Sequence, residues 1–367
     1  MSLDNFLNSK TLFYDKIDYD IIKKSWEILS QYISLPYVIH IVGTNGKGST
    51  GRFLTSFLHQ KQFKVLHYSS PHIITFNERI WINGDDVDNV NLEMAHQKLQ
   101  NILPTKYLDR LTYFEYTTLL ALYLSNDLDY LILEAGLGGE FDATNVVMNN
   151  LTIVPSIGLD HIEFLGDTIE QIAQTKLRSC DNSYIFGKNI SVNVIESTKD
   201  ILIDKKMVKL NEYNLDEIHL PIYLKNNLSL AFSVLEYLQV GISNLKLPKL
   251  FGRFEYYKKN IIIDVGHNPL AAQVIYDELS KNKLKIILIY NSYSNKNYKE
   301  VLTILKPIIK EVQIIPIEDK RVVEKEVLEN ILANLNITYK DFTNDINDDE
   351  LYVVFGSFLV IEKFLSL

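Results

Sequence analysis

The stretch YVIHIVGTNGKGSTGRFLTSFLHQ, Tyr37 to Gln60, decides the fold. It opens with a short apolar run ending in Gly43, which reads as a buried strand. It closes with a segment whose Phe53, Leu54, Phe57 and Leu58 fall on one helical face, so the spacing predicts a helix. Between the two lies GTNGKGST, Gly43 to Thr50. Glycines let the backbone wrap closely, so that successive N–H groups point at one anion. The start of a helix adds a partial positive charge, and Lys47 adds a full one. An ordinary glycine-rich turn would account for the glycines but not for the lysine and the Ser-Thr pair. The reading is a phosphate-binding loop. The usual pattern places Ser or Thr directly after the lysine; here Gly48 intervenes, so the magnesium ligand is expected from elsewhere.

Working outward, strand-like and helical runs alternate. FKVLHYSS (63–70), DYLILEAG (129–136) and LTIVPSIGLDH (151–161) read as strands, and FEYTTLLALYL (114–124) as a helix. Such alternation predicts an α/β fold with a doubly wound, mainly parallel sheet. Ligands of such sheets sit at the carboxyl ends of the strands, where Lys47, Ser70, Glu134, Asp160 and His161 cluster. A second set of strands follows LKLPKLFGRFE (245–255): NIIIDVGHNP, KLKIILIYNS, EVQIIPI and ELYVVFGS. Proline and glycine interrupt the preceding helical pattern, NNLSLAFSVLEYL, and place a domain boundary between residues 1–247 and 248–367. Segment 181–220 is polar and yields no ordered set of elements.

Bulk properties narrow the function. With 367 residues, 47% of them hydrophobic, the chain exceeds one core and suits two domains. A net charge of −9 gives no basic footprint for nucleic acid, so any anion must be met by local donors and metal ions. Cys180 is the single cysteine, which excludes an intrachain disulfide and a cysteine-based zinc site. The N-terminus lacks a signal-peptide pattern, and no apolar run has membrane-spanning length. The expectation is a soluble, cytoplasmic protein without nucleic-acid or membrane partners.

Three further motifs carry polar chemistry. Glu134 ends an apolar strand before the glycine-rich turn AGLGGEFDATN (135–145), and a buried carboxylate there needs a partner. It is either an oxygen ligand for Mg²⁺ or a structural cap of the turn. In SIGLDHIEFLGDTIEQIAQTK, Asp160 and His161 stand at another strand end; magnesium prefers oxygen, so His161 alone reads as a phosphate donor or a core histidine. In DVGHNP, Asp264, His267 and Asn268 either grip a ribose or phosphate or form a turn before Pro269. Arg253, in GRFE, either reaches a ligand or is a solvated surface arginine.

Together GTNGKGST, YSSPH, FNERI, EAGLGG…DATN, GLDHIEFLGDTIEQIA, GRFE and DVGHNP resemble, in content and order, the folylpolyglutamate synthases and bifunctional dihydrofolate/folylpolyglutamate synthases of the Mur-ligase superfamily. The resemblance covers roughly positions 35–360. It implies an N-terminal P-loop ATPase domain and a smaller C-terminal Rossmann-like α/β domain. It also implies that Ser70, Glu134 and His161 hold magnesium, and that Thr44, Asn45, Gly46, Lys47, Gly48 and Ser49 cradle phosphate. Lys176 matches a lysine that is carbamylated in relatives to serve a second magnesium. Asn227, Arg253, Asp264 and His267 match ATP-contacting positions, and Lys47, Lys176, Arg253 and His267 are the expected catalytic set. The chain departs from the family pattern at Glu140, commonly arginine, in the TKLRS context of Lys176, and at Tyr223-Leu224, commonly His-Gln.

The activity implied is ATP-dependent addition of L-glutamate to dihydropteroate or a reduced folate through an acyl phosphate, releasing ADP and phosphate. ATP, one or two Mg²⁺ and a monovalent cation are the implied cofactors, and the resemblance implies a monomer. Two rivals share the phosphate loop: another Mur-type amino-acid ligase acting on a cell-wall precursor, and a non-catalytic P-loop nucleotide-binding protein.

Overall fold

The computed structural model describes residues 1–11, 19–282 and 285–367. The chain divides into two compact units: Met1–Ile218 with Leu224–Pro248, and His219–Tyr223 with Lys249–Leu367. Each is built on its own parallel-rich sheet, so the α/β class expected from the alternating pattern is the one the chain adopts.

The strands of the first unit are β1 (Tyr37–Ile41), β2 (Val65–Tyr68), β3 (Ile80–Ile82), β4 (Asp85–Asp86), β5 (Tyr130–Glu134), β6 (Leu151–Val154), β7 (Ser183–Phe186) and β8 (Lys206–Met207). They lie in the order β4-β3-β2-β5-β1-β6-β7-β8. Central β1 pairs in parallel with β5, Ile41 opposite Glu134, and with β6, Ile41 opposite Ile153. Apolar side chains on both faces suit that central place: Val38, Ile39 and Ile41 are all buried. From β1 the chain crosses to β2 on one side, and from β6 it crosses to β7 on the other. The order therefore reverses between β1 and β6, and the crevice at their carboxyl ends is where such sheets bind ligands.

Helices cover both faces. On one, the Tyr113–Leu124 helix packs with Leu66, Tyr68, Leu131 and Leu133 into a single core. Its start is fixed by a capping box in which Thr112 accepts from the Glu115 N–H and the Glu115 carboxylate accepts from Thr112. The Lys47–Gln60 helix buries Phe53, Leu54, Phe57 and Leu58 completely, as their spacing predicts. Each such side chain stabilises the fold by about 1.5–3 kcal/mol. Phe57 also meets Phe232 of the Ile222–Tyr237 helix, with ring centroids 5.5 Å apart.

The sequence pattern does not reach the antiparallel β3–β4 hairpin, although Asn83-Gly84 between them is a strong turn signal, both residues having positive φ. Segment 181–220 supplies β7, β8 and the Val192–Thr198 helix.

The second unit contains β9 (Glu255–Lys258), β10 (Ile261–Asp264), β11 (Ile286–Tyr290), β12 (Ile309–Ile314), β13 (Tyr339–Asp341) and β14 (Leu351–Phe355), ordered β13-β12-β11-β14-β10-β9. The four strands expected here are β10, β11, β12 and β14; Lys283 and Leu284 of the predicted KLKIILIYNS run lie outside the described residues. The edge strand β9 is antiparallel to β10. No helix among the described residues is long and apolar enough to cross a membrane.

Candidate functional site

The first unit gathers its polar residues where β1, β5 and β6 end. Gly46 caps the Lys47–Gln60 helix with φ of 85°, a left-handed conformation that favours glycine, and no side chain caps that helix. A Cβ at Gly46 would stand 2.9 Å from Asn227 Oδ1 and 3.1 Å from Pro155 Cβ, so the close approach also requires glycine. First-turn N–H groups of a helix have no partner within it, and here they open at the loop. The strand end after β6 braces the same loop. Thr44 N–H donates to the Ser156 carbonyl at 2.8 Å, Asn45 N–H donates to Ser156 Oγ at 3.0 Å, and Ser156 Oγ donates to the Asn45 carbonyl at 2.9 Å. Thr44 Oγ1 and Gly158 add two more bonds, 3.0 and 2.9 Å. Sequence reading passes over Ser156; its signal is a small hydroxyl residue just past a fully buried strand.

Lys47 folds back over its own loop, its Nζ donating to the carbonyls of Gly43 and Thr44 at 3.2 and 3.3 Å. Ser49 Oγ lies 3.2 Å from the Gly46 carbonyl and accepts from Asn227 Nδ2 at 2.8 Å. Asn227 is buried and comes from the distant Ile222–Tyr237 helix, so the structure joins it to the loop. An uncapped helix start with one lysine beside it is the arrangement expected of an anion site.

Glu134 is the last residue of β5 and is 6% exposed. Ser70 follows β2 by two residues, on the edge shared with Glu134, since Tyr68 pairs with Leu133. Asp160 and His161 lie on the segment after β6. His161 has a positive φ of 51°, starts the short Ile162–Leu165 helix and keeps Nε2 3.9 Å from Asp160 Oδ1. Its side chain is 35% exposed, which removes the core-histidine reading. No group of three or more His, Cys, Asp and Glu side chains suited to a metal ion occurs among the described residues. A magnesium here would draw on one carboxylate, one imidazole and the Ser70 hydroxyl, with phosphate or water oxygens completing its shell.

Lys176 is buried at the end of the Ile169–Leu177 helix, whose start is set by the Thr168–Gln171 capping box. Burial, and next the charge of Lys47, bring its ammonium down to about 7, while Asp160 and Asp142 pull the other way. Glu140 reaches Arg178 at 3.0 Å, so the acidic departure from the family pattern is matched by a basic one nearby. Asp142, fully buried, holds the intervening turn: it accepts from Leu137 N–H at 2.7 Å, Thr144 N–H at 3.0 Å and Thr144 Oγ1 at 2.5 Å.

In the second unit Asp264 ends β10, and its oxygens are taken up locally. Tyr223 Oη donates to it at 3.1 Å, Phe254 N–H at 2.8 Å and Gly266 N–H at 2.7 Å. The bonds tie the GRF turn to the VGHN turn, and Tyr223 acquires a clear structural task. Arg253 is half-buried, its guanidinium 5.3 Å from the centroid of Phe358, so it is not a solvated surface arginine. His267 keeps Nδ1 3.2 Å from the Val265 carbonyl.

No protein-family model matches the chain. It is similar to the dihydrofolate synthase/folylpolyglutamate synthase of Haemophilus influenzae, at 30% identity over 414 aligned positions, covering 95% of this chain and 92% of the relative. Among solved structures, it resembles a Helicobacter pylori folylpolyglutamate synthetase with a TM-score of 0.79 and 39% identity, over 99% of this chain and 97% of that one. It also resembles E. coli FolC in complex with DHPP and ADP, with a TM-score of 0.83 and 25% identity, over 100% and 97% of the two chains.

Proposed function

Because the chain belongs to the dihydrofolate synthase/folylpolyglutamate synthase family, we propose that it is an ATP-dependent ligase joining L-glutamate to dihydropteroate, to a reduced folate, or to both. The observation that supports this reading is the glycine-rich loop Gly43–Ser49, uncapped at its helix start and joined by Asn227.

A free carboxylate resists attack by an amine because it is negatively charged and has no leaving group. Transfer of the γ-phosphoryl of ATP to it makes an acyl phosphate. The glutamate amine then attacks the carbonyl carbon, a tetrahedral intermediate forms, and phosphate leaves with the C–O bond electrons. The protein contributes position and charge rather than covalent chemistry. Lys47 and the first-turn N–H groups would hold the phosphates, with Thr44, Asn45, Gly46, Gly48, Ser49 and Asn227 shaping the cradle. Ser70, Glu134 and His161 would hold magnesium, which when bound offsets phosphate charge. Arg253, Asp264 and His267 are assigned to the nucleotide on the family resemblance.

Lys176 is the proposed carbamylation site. Its neutral amine would add to CO₂ and lose a proton, giving a carbamate for a second magnesium; an amine held near pH 7 supports this, since much of it is neutral there. The proposed activity needs only small molecules, and we assign it to a cytoplasmic monomer.

The test is to incubate the protein with Mg²⁺-ATP and L-glutamate, adding dihydropteroate in one sample and tetrahydrofolate in another, and to follow phosphate and product mass. Glutamate-dependent product in both samples gives the bifunctional enzyme, and in one sample names the single activity. No such product in either removes the folate assignment, and cell-wall acceptors come next.

A further inference from the structure

Arg79 has a chemistry that the ligase scheme leaves unused. It immediately precedes β3, and its carbonyl accepts the Ser69 N–H at 2.9 Å, one residue from Ser70. The guanidinium is held from two sides. Nε donates to His72 Nδ1 at 2.8 Å, and the group lies 5.1 Å from the centroid of the Tyr113 ring. The neighbouring acid is occupied elsewhere: the Glu78 carboxylate accepts from the N–H groups of Ile73, Ile74 and Thr75, each at 2.7 Å. Among the described residues no carboxylate forms an ion pair with Arg79. One edge of the guanidinium is thus fixed, and among the described residues its two Nη groups meet no carboxylate; a fork of that shape receives one.

Resting on the ligase reading, we infer that Arg79 binds the substrate carboxylate that is not being activated, the α-carboxylate of a folate's terminal glutamate. The γ-carboxylate that receives phosphate belongs with Ser70 and Glu134. Arg79 lies opposite Ser69 across the strand pair, one residue from Ser70, so it belongs to the same end of β2. Dihydropteroate has one carboxylate, the one that reacts, and offers Arg79 nothing. Arg79 is therefore a specificity-determining residue for substrates that already carry glutamate.

The test compares KM for tetrahydrofolate, its α-amide and dihydropteroate, on the full chain with saturating Mg²⁺-ATP and L-glutamate. Arg79→Gln and Arg79→Lys are measured beside the wild type. If tetrahydrofolate is not turned over, its inhibition constant against dihydropteroate replaces KM. Losing one charge-assisted contact predicts that Arg79→Gln weakens tetrahydrofolate about tenfold or more, with dihydropteroate and ATP unchanged within about twofold. Arg79→Lys retains part of the affinity, and the α-amide binds wild type and Arg79→Gln alike. A purely loop-supporting arginine would weaken all acceptors equally, and that result overturns the inference. Should the variants fail to fold, the wild type decides: equal KM for tetrahydrofolate and its α-amide also overturns it. A wild type inactive with every acceptor removes the ligase reading and this inference together, a result distinct from a loss confined to tetrahydrofolate.

Discussion

Two strand-to-helix turns, one in each unit, look alike in outline and differ in what they leave open. In the first unit β1 runs through Gly43–Gly46 into the Lys47–Gln60 helix, whose start no side chain caps. In the second, β10 runs through Val265–Asn268 into the Pro269–Leu279 helix, where Asn268 accepts from Ala271 N–H at 2.9 Å and Pro269 has no N–H to satisfy. The same contrast holds for charge. Lys47 rests on two carbonyls of its own loop, whereas Asp264 accepts three protein donors. A helix start capped by its own side chain is a brace; the uncapped start at Lys47 is the one proposed to meet phosphate.

The largest test of that contrast is Lys47→Ala. Loss of one preorganised donor to a phosphoryl group lowers turnover by roughly 10²–10³-fold, with little effect on folding, as phosphate release and thermal unfolding would show. Retained turnover would break the distinction at its strongest point.

Acid should separate the two units next. His40 and His67 are buried in the first sheet; burial lowers His40 to about 4, while burial and then Arg52 lower His67 well below 6.5. Below pH 6.5 the unfolded chain binds protons that these folded rings refuse, so stability is present above 6.5 and falls as pH falls. For His40 the loss by pH 4 is about 3 kcal/mol. Amide hydrogen exchange between pH 7 and 4 should therefore show β1 and β2 losing protection before β10 and β14, and the reverse order would refute the assignment.

A smaller effect is expected at the brace. Asn268→Ala removes one cap and costs about 1 kcal/mol in chemical denaturation, without the collapse of turnover expected for Lys47→Ala. Smallest of all is Arg178→Ala. Its pair with Glu140 is substantially exposed, so stability should change by about 0.5 kcal/mol or less, and a larger change would make that pair more than a surface contact.

The parts legible in the sequence are those whose physics is local. Buried parallel strands such as β1, β5 and β11 are continuous apolar runs, and the Lys47 loop carries its chemistry within a few residues. Edge strands are not legible in this way: Asp85–Asp86 and Lys206–Met207 are exposed pairs without an apolar pattern. Nor is the contact of Asn227 with Ser49, which joins positions 178 residues apart; the family resemblance marks Asn227 only as an ATP-contacting position. Tyr223 illustrates the same limit. In the sequence it is only a departure from a motif; in the structure its hydroxyl donates to Asp264.

That phenol bears on how the molecule can be dissected. The path of the chain changes units three times, after Ile218, after Tyr223 and after Pro248. A protease nick after Pro248 would leave Tyr223 covalently attached to the N-terminal fragment. The fragment from Lys249 onward would then hold Asp264 with Phe254 and Gly266 but without its phenol donor. A piece begun at His219 would keep the donor and carry away the whole Ile222–Tyr237 helix, Asn227 included. No single cut yields both halves with their hydrogen bonds intact, so recombinant halves of this protein would each inherit a defect from the other.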